Sequence, residues 1–152
     1  MSFFTRKIST PTASIWSLAP EPAIPEPPAL ITESNRLWLA YYRAVDDEGA
    51  IAVVRFTGLI DHRLSPINDE GLGRHPYAGA GLQFYSFNEL SGSPETLRWS
   101  GSKARHWVIT FKDNTLDVIA TSGDVIVRSI AASSPLDALL TVVSRELAST
   151  SS

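Results

Sequence analysis

Five of the ten prolines lie in one short stretch of the chain, between Pro20 and Pro28. Each proline lacks a backbone N–H and fixes φ, so neither an α-helix nor an internal strand can run through this stretch. The stretch is predicted to be a polyproline II segment or linker, and residues 1–33 to form a Pro-rich extension before the folded body. Trp16 then belongs either to an arm laid over the body's own surface or to an arm that docks on a partner with Trp16 as its anchor.

The body, residues 34–148, has the pattern of a single α+β domain. Residues 36–45 (RLWLAYYRAV) are apolar on both alternating faces, which predicts a central strand covered on two sides. Further strands are expected at 50–57, 82–90, 105–111, 115–120 and 125–130. The predicted fold class is therefore α+β: a mostly antiparallel, twisted sheet of about six strands packed against a C-terminal helix.

The C-terminal helix has a clear beginning in the sequence. Ser134 is a good N-cap, Pro135 suits the first helical position, and Asp137 lies near the positive end of the helix dipole. The helix is expected to run to about Ala148 and to be followed by a disordered tail at 149–152. One stripe of the helix is expected to be buried, and it consists of Leu136, Leu139, Leu140, Val143 and Leu147.

Composition excludes several classes of function. The chain has no cysteine, which removes disulfides, thiolate nucleophiles and Cys-ligated metal sites. Thirteen basic and sixteen acidic side chains give a net charge of −3, which argues against a nucleic-acid partner. No run approaches the roughly 18 consecutive apolar residues that span a bilayer. We expect a cytoplasmic protein with no membrane partner.

The residues that could carry chemistry are concentrated in a predicted loop over 58–81. The candidate catalytic residues are His75, Asp69, Glu70 and His62, which could supply a His–carboxylate general base or ligands for a hard divalent metal. Their spacing matches no known metal signature, so no metal and no cofactor are predicted. The alternative is that residues 68–71 form an Asx-type turn that satisfies local amides. The candidate binding residues are Asn68, Asp69, Glu70, Arg74, His75 and Tyr77, together with Trp16.

Two stretches of the chain resemble an uncharacterised family of small bacterial proteins. They are residues 66–90, PINDEGLGRHPYAGAGLQFYSFNEL, and residues 105–120, RHWVITFKDNTLDVIA. In that family the motifs Asn-Asp-Glu, His-Pro and Gly-Leu are followed by a tyrosine and an acidic residue. A hairpin similar to H(Y/F)xxTFHDSTFECVA comes after them. The matching positions are Asn68, Asp69, Glu70, His75, Pro76, Gly81, Leu82, Tyr85, Glu89, His106, Thr110, Phe111, Asp113, Thr115 and Ala120. Lys112 and Val118 replace the hairpin's histidine and cysteine, and Asp117 replaces its acid. The resemblance implies a bacterial, cytoplasmic protein and supplies no reaction.

The hypothesis we favour is a non-enzymatic, immunity-like or accessory domain that binds another protein, or a second copy of itself, through the 58–81 loop and the N-terminal arm. The alternative is a small acid/base or metal-assisted hydrolase that uses His75 and a nearby carboxylate. A single-stranded nucleic-acid binder is a third possibility. We also expect the strand from Leu82 and the 105–120 hairpin to place His75, Tyr77 and Glu89 near His106 or Asp113.

Overall fold

The computed structural model describes residues 10–23, 27–44 and 50–150. These residues form nine strands and two α-helices in an α+β fold, which confirms the predicted class. The strands are β1 (Thr12–Ile15), β2 (Ala29–Glu33), β3 (Arg36–Tyr42), β4 (Ala50–Thr57), β5 (Asp61–Ser65), β6 (Phe87–Ser91), β7 (Arg105–Thr110), β8 (Thr115–Ala120) and β9 (Ser122–Ala131). The helices are α1 (Pro94–Arg98) and α2 (Pro135–Thr150).

The strands form two sheets in which every pairing is antiparallel. Sheet I has the order β1-β6-β7-β8-β5, and sheet II has the order β2-β3-β4-β9. The central position expected for β3 is confirmed, since it lies between β2 and β4 with both faces covered. Antiparallel pairing suits the short connections between successive strands.

Alternation along the strands sends apolar side chains into two separate cores. The first core lies between the sheets; in β3, Leu37, Leu39 and Tyr41 face it. The intervening Trp38 and Ala40 face the second core, where α2 packs on sheet II. The molecule therefore has three layers: sheet I, sheet II and α2.

The N-terminal segment belongs to these layers, which corrects the prediction of an extension before the body. β1 is an edge strand of sheet I and β2 an edge strand of sheet II. Trp16 is only 6% exposed, and its ring packs against Phe56, Phe87 and Trp107 in the core between the sheets. It cannot serve as a surface anchor, because burial of a large aromatic ring here stabilises the fold itself. Residues 1–9 and 24–26 of the predicted extension lie outside the described residues.

The helix begins as predicted, but it is rotated relative to the predicted stripe. Ala138, Leu139, Val142 and Val143 are buried against sheet II, whereas Leu136 and Leu140 are exposed. The small Ala138 and the β-branched valines fit the close contact with the sheet better than a leucine stripe does. Residues 149–150 belong to α2 instead of a tail, and 151–152 lie outside the described residues.

The irregular part of the chain does not coincide with the loop predicted over 58–81. The first part of this range is β5, an edge strand of sheet I that carries Asp61 and His62. The later part contains two single 3-10 turns, Leu72–Arg74 and Ala78–Ala80. The irregular stretch instead continues to residue 86, since the strand expected at 82–90 begins only at Phe87.

Candidate functional site

Sheet I has one apolar and one polar face, and the site lies on the polar one. Trp107, Ile109, Leu116 and Val118 face the core between the sheets. The alternating positions place His106, Thr110, Thr115 and Asp117 on the opposite, outer face. Residues 66–86, which we call the covering segment, are hydrogen-bonded to this outer face.

Side chains of the sheet bind the backbone of the covering segment at both of its ends. Asn88 accepts from the Gln83 N–H at 2.9 Å and donates to the Gln83 carbonyl at 3.2 Å. Thr110 Oγ1 also donates to the Gln83 carbonyl, at 2.7 Å. At the other end, Thr115 Oγ1 donates to the carbonyl of Ile67 at 2.8 Å. Buried bonds of this kind satisfy irregular backbone and hold the covering segment in one conformation.

His75 belongs to the covering segment, and its side chain is buried against the outer face of the sheet with both ring nitrogens hydrogen-bonded. The backbone N–H of Tyr77 donates to Nδ1 at 3.0 Å, so Nδ1 is an acceptor. Nε2 therefore carries the proton and donates to Asp117 Oδ1 at 2.9 Å. The ring is fixed in one tautomer and one orientation.

A second buried histidine approaches the other oxygen of the same carboxylate. His106 Nε2 lies 3.8 Å from Asp117 Oδ2, close enough for an electrostatic contact but too far for a hydrogen bond, and it has no hydrogen-bond partner in the described chain. Its Nδ1 is 3.0 Å from Ser93 Oγ, which also caps α1 by accepting from the Thr96 N–H. Asp117 thus lies between two imidazole rings.

Tyr77 closes the cluster from the side of the covering segment. Its ring meets His106 edge-on with 5.4 Å between centroids, and its hydroxyl donates to Glu95 on α1. Burial and the hydrogen bond to the Glu95 carboxylate raise the pKa of Tyr77 well above its usual value, so it stays protonated at neutral pH.

Asp117 is the charged centre of the cluster. Burial alone would raise the pKa of its carboxyl, but the neighbouring His106 and His75 rings outweigh burial and lower the pKa below its usual value. The side chain is 20% exposed. It is therefore an ionised acceptor that solvent or a small ligand can still reach.

A hollow of about 300 Å³ opens beside this carboxylate. Asp117, His75, Arg63 and Arg74 contribute its charged and titratable lining, and the remaining lining residues are Ser65, Pro66, Ile67 and Pro76. Across the described residues, no group of three or more His, Asp or Glu side chains is arranged to hold a metal ion. The hollow is thus an open recess, lined by charged and apolar side chains, next to a fixed imidazole–carboxylate pair.

Asp69 and its neighbours form the turn that was the alternative interpretation of residues 68–71. Asn68 Oδ1 accepts from the Gly71 N–H at 2.7 Å, and Asp69 Oδ1 accepts from the Glu70 N–H at 2.8 Å. The hydroxyl of Tyr85 donates to Asp69 Oδ2 at 2.6 Å and is the main reason why the pKa of Asp69 lies below its usual value. Both carboxylate oxygens of Asp69 are therefore occupied in shaping the turn.

The structure brings together only part of the predicted site. The carboxylate that contacts His75 is Asp117, and neither Asp69 nor Glu70 does so. His62 lies opposite Val118 in the register of β5 and β8, so it is on the other face of the sheet from Arg63 and the hollow. Arg74 has no carboxylate partner in the described chain; it lines the hollow.

The expected meeting of His75 and Tyr77 with His106 occurs, but two of the acids proposed for it are elsewhere. Glu89 forms a bidentate pair with Arg105, and Asp113 lies in the exposed turn between β7 and β8. The acid that lies next to both histidines is Asp117, and neither Glu89 nor Asp113 lies there. The signal that could have identified it is the register of the 105–120 hairpin, which puts position 117 on the same face as His106.

Fold and site define the class of protein: an α+β domain of two antiparallel sheets and one helical layer, with a buried imidazole–carboxylate cluster between sheet I and the covering segment. Comparisons with protein-family models, curated proteins and solved structures give no match to this chain. Over the described residues, no helix is both long enough and apolar enough to cross a membrane.

Proposed function

We propose that this chain is a non-enzymatic binding domain that engages another protein through the exposed side of the covering segment. The observation that carries the proposal is that the polar groups inside this segment are used to hold its shape. Both nitrogens of His75 and both carboxylate oxygens of Asp69 have partners. A surface fixed in this way loses little conformational freedom on binding.

The surface has the composition of a small docking site. Phe84 is 55% exposed, and it borders an open depression of about 220 Å³ together with Asp69, Glu70 and Tyr85. An exposed aromatic side chain surrounded by charged groups is a common anchor in protein interfaces. Asn68, Glu70 and Arg74 are also exposed and supply a polar rim. The binding surface we propose therefore differs from the 58–81 loop: it includes Phe84 and Tyr85 beyond residue 81 and excludes the buried His75.

This proposal keeps the immunity-like or accessory role and the bacterial, cytoplasmic setting inferred from the sequence. It does not retain the N-terminal arm, because Trp16 is part of the core. A net charge of −3 and exposed Glu70 favour a partner with a basic rim around an apolar pocket.

Capture from an extract of the producing cells tests the proposal. Immobilised full chain is compared with Phe84→Ala and with Leu140→Ala, whose side chain is 52% exposed on α2 in the opposite layer. We expect Phe84→Ala to weaken capture of a given partner at least about tenfold, or about 1.4 kcal/mol. Leu140→Ala is expected to capture it like the original chain. Equal capture by all three proteins would show that the covering segment is not the binding surface.

The hydrolase is kept as a second candidate on one observation, the His75–Asp117 pair beside a hollow. The Tyr77 N–H occupies the nitrogen that would have to accept a proton, so His75 is poorly placed as a general base. Screening the chain with phosphoester and amide substrates, with His75→Gln as control, decides between the two. Turnover that is abolished by His75→Gln would favour the enzyme.

A further inference from the structure

The hollow beside Asp117 has a charge pattern of which the proposed docking surface uses only Arg74, as part of its polar rim. Arg63 on β5 and Arg74 in the covering segment both line it, and both side chains are exposed. Neither guanidinium has an ion pair or hydrogen bond within the described chain. Two arginines that lack partners among the described residues therefore line one recess.

The same recess contains a fixed negative charge. Arg63 lies directly opposite Asp117 in the register of β5 and β8, yet no ion pair forms between them. Asp117 instead accepts from His75, whose other nitrogen is held by the Tyr77 N–H. Each carboxylate oxygen can accept more than one hydrogen bond, so Asp117 still has acceptor capacity toward the hollow.

We propose that this hollow binds a phosphate group that retains one proton. Arg63 and Arg74 hold the anionic oxygens through charge-assisted hydrogen bonds, for which the guanidinium geometry is suited. Asp117 accepts a hydrogen bond from the remaining P–OH. This proposal goes beyond the docking function and does not depend on it.

The carboxylate makes the site selective among anions. Sulfate and simple carboxylates carry no proton at neutral pH, so an oxygen that faces Asp117 would meet a second negative charge without a hydrogen bond. A protonated phosphate replaces that repulsion with a hydrogen bond to a charged acceptor. Two arginines alone would not distinguish phosphate from sulfate, whereas the addition of Asp117 does.

The size of the hollow bears on the source of the phosphate. A space of about 300 Å³ is at the lower end for small-molecule sites and leaves room beyond a phosphate group. Free phosphate and the monoester of a small alcohol share the chemistry that the site recognises. Comparison of inorganic phosphate with glycerol phosphate distinguishes these two sources.

Calorimetric titration of the full chain tests the proposal. The measurement is made near pH 6, where roughly half of a phosphate monoester keeps its second proton. We expect saturable binding of inorganic phosphate or glycerol phosphate, and at least about tenfold weaker binding of sulfate at equal ionic strength. The tighter of the two phosphates identifies the source. Absence of saturable binding by either at millimolar concentration, or equal binding of sulfate, would overturn the proposal.

Variants test the roles of the two arginines against a charge-matched control. Arg63→Gln and Arg74→Gln are each expected to weaken phosphate binding at least about tenfold. Arg145→Gln, on α2 in the opposite layer, removes the same charge far from the hollow and is expected to leave binding unchanged. An equal loss in all three variants would indicate only a general charge effect and would overturn the assignment.

Asp117→Asn tests the selectivity. The amide removes the negative charge, so we expect sulfate to bind more tightly than it does to the original chain and the preference for phosphate to shrink. Thermal unfolding of the variant establishes that it folds. An unchanged preference in a folded Asp117→Asn protein would remove Asp117 from the site. If the variant does not fold, the arginine variants and the sulfate comparison still decide.

Discussion

The two faces of sheet I are built from alternate residues of the same strands and yet stabilise different things. On the inner face, Trp107 packs against Trp16 and Phe56 in a core where shape and apolar area dominate. On the outer face, Asn88, Thr110 and Thr115 make hydrogen bonds to the covering segment. The inner face thus holds the two sheets together, while the outer face fixes the conformation of a segment with little regular structure.

The largest effect on stability is expected from a substitution on the inner face of sheet I. Trp107→Ala removes a fully buried ring between the sheets and leaves a cavity, which should lower the free energy of unfolding by about 3–5 kcal/mol. Urea denaturation followed by circular dichroism measures the change. A loss below about 1 kcal/mol would mean that the inter-sheet core is not the main stabilising layer.

A smaller and more local effect is expected on the outer face of the same strand. Thr110→Val keeps the side-chain volume but leaves the Ser86 N–H without its acceptor and removes a donor to Gln83. We expect a loss of about 1–3 kcal/mol, accompanied by faster amide hydrogen exchange in residues 83–86. Trp107→Ala is the comparison, because its faster exchange should spread through both sheets. If Thr110→Val accelerates exchange equally everywhere, the two faces do not act separately.

The smallest effect is expected in the pH dependence of stability. It comes from Asp117, whose charge interactions are weakened by solvent because the side chain is still partly exposed. Its pKa is lower in the folded protein than the usual value of about 3.9, so the folded state binds the proton less readily than the unfolded chain does. This contribution to stability is complete above about pH 4 and is lost as the pH falls through the lowered pKa. Urea denaturation at a series of acidic pH values should show that the difference in stability between the original chain and Asp117→Asn narrows below pH 4. A constant difference would contradict the lowered pKa.

Local patterns in the sequence predicted much of the fold. The alternation in β3, β4, β7 and β8 and the Ser134–Pro135 helix start act over a few residues, so they can be read directly. β1 and β5 were missed because these edge strands carry mostly exposed residues and lack a strong apolar pattern, and β2 because its apolar residues directly follow the proline-rich stretch.

The site was harder to predict than the fold. The Asx-type turn at residues 68–71 was foreseeable, since its hydrogen bonds join positions no more than three residues apart. The partner of His75 was not, because Asp117 is 42 residues away and meets it only after the covering segment folds over the sheet. That Arg63 and Arg74 find no partner among the described residues likewise depends on this packing.

The sequence by itself determined six of the nine strands of the described residues, the start of the last helix and the turn that shapes residues 68–71, because these depend on hydrogen bonds and side-chain periodicity within a few residues. Only the tertiary structure decided that Trp16 lies in the core, that the strands divide into two sheets and that Asp117 lies between His75 and His106. These features arise from contacts between residues far apart in the chain, whose free energy depends on the packing of the whole molecule.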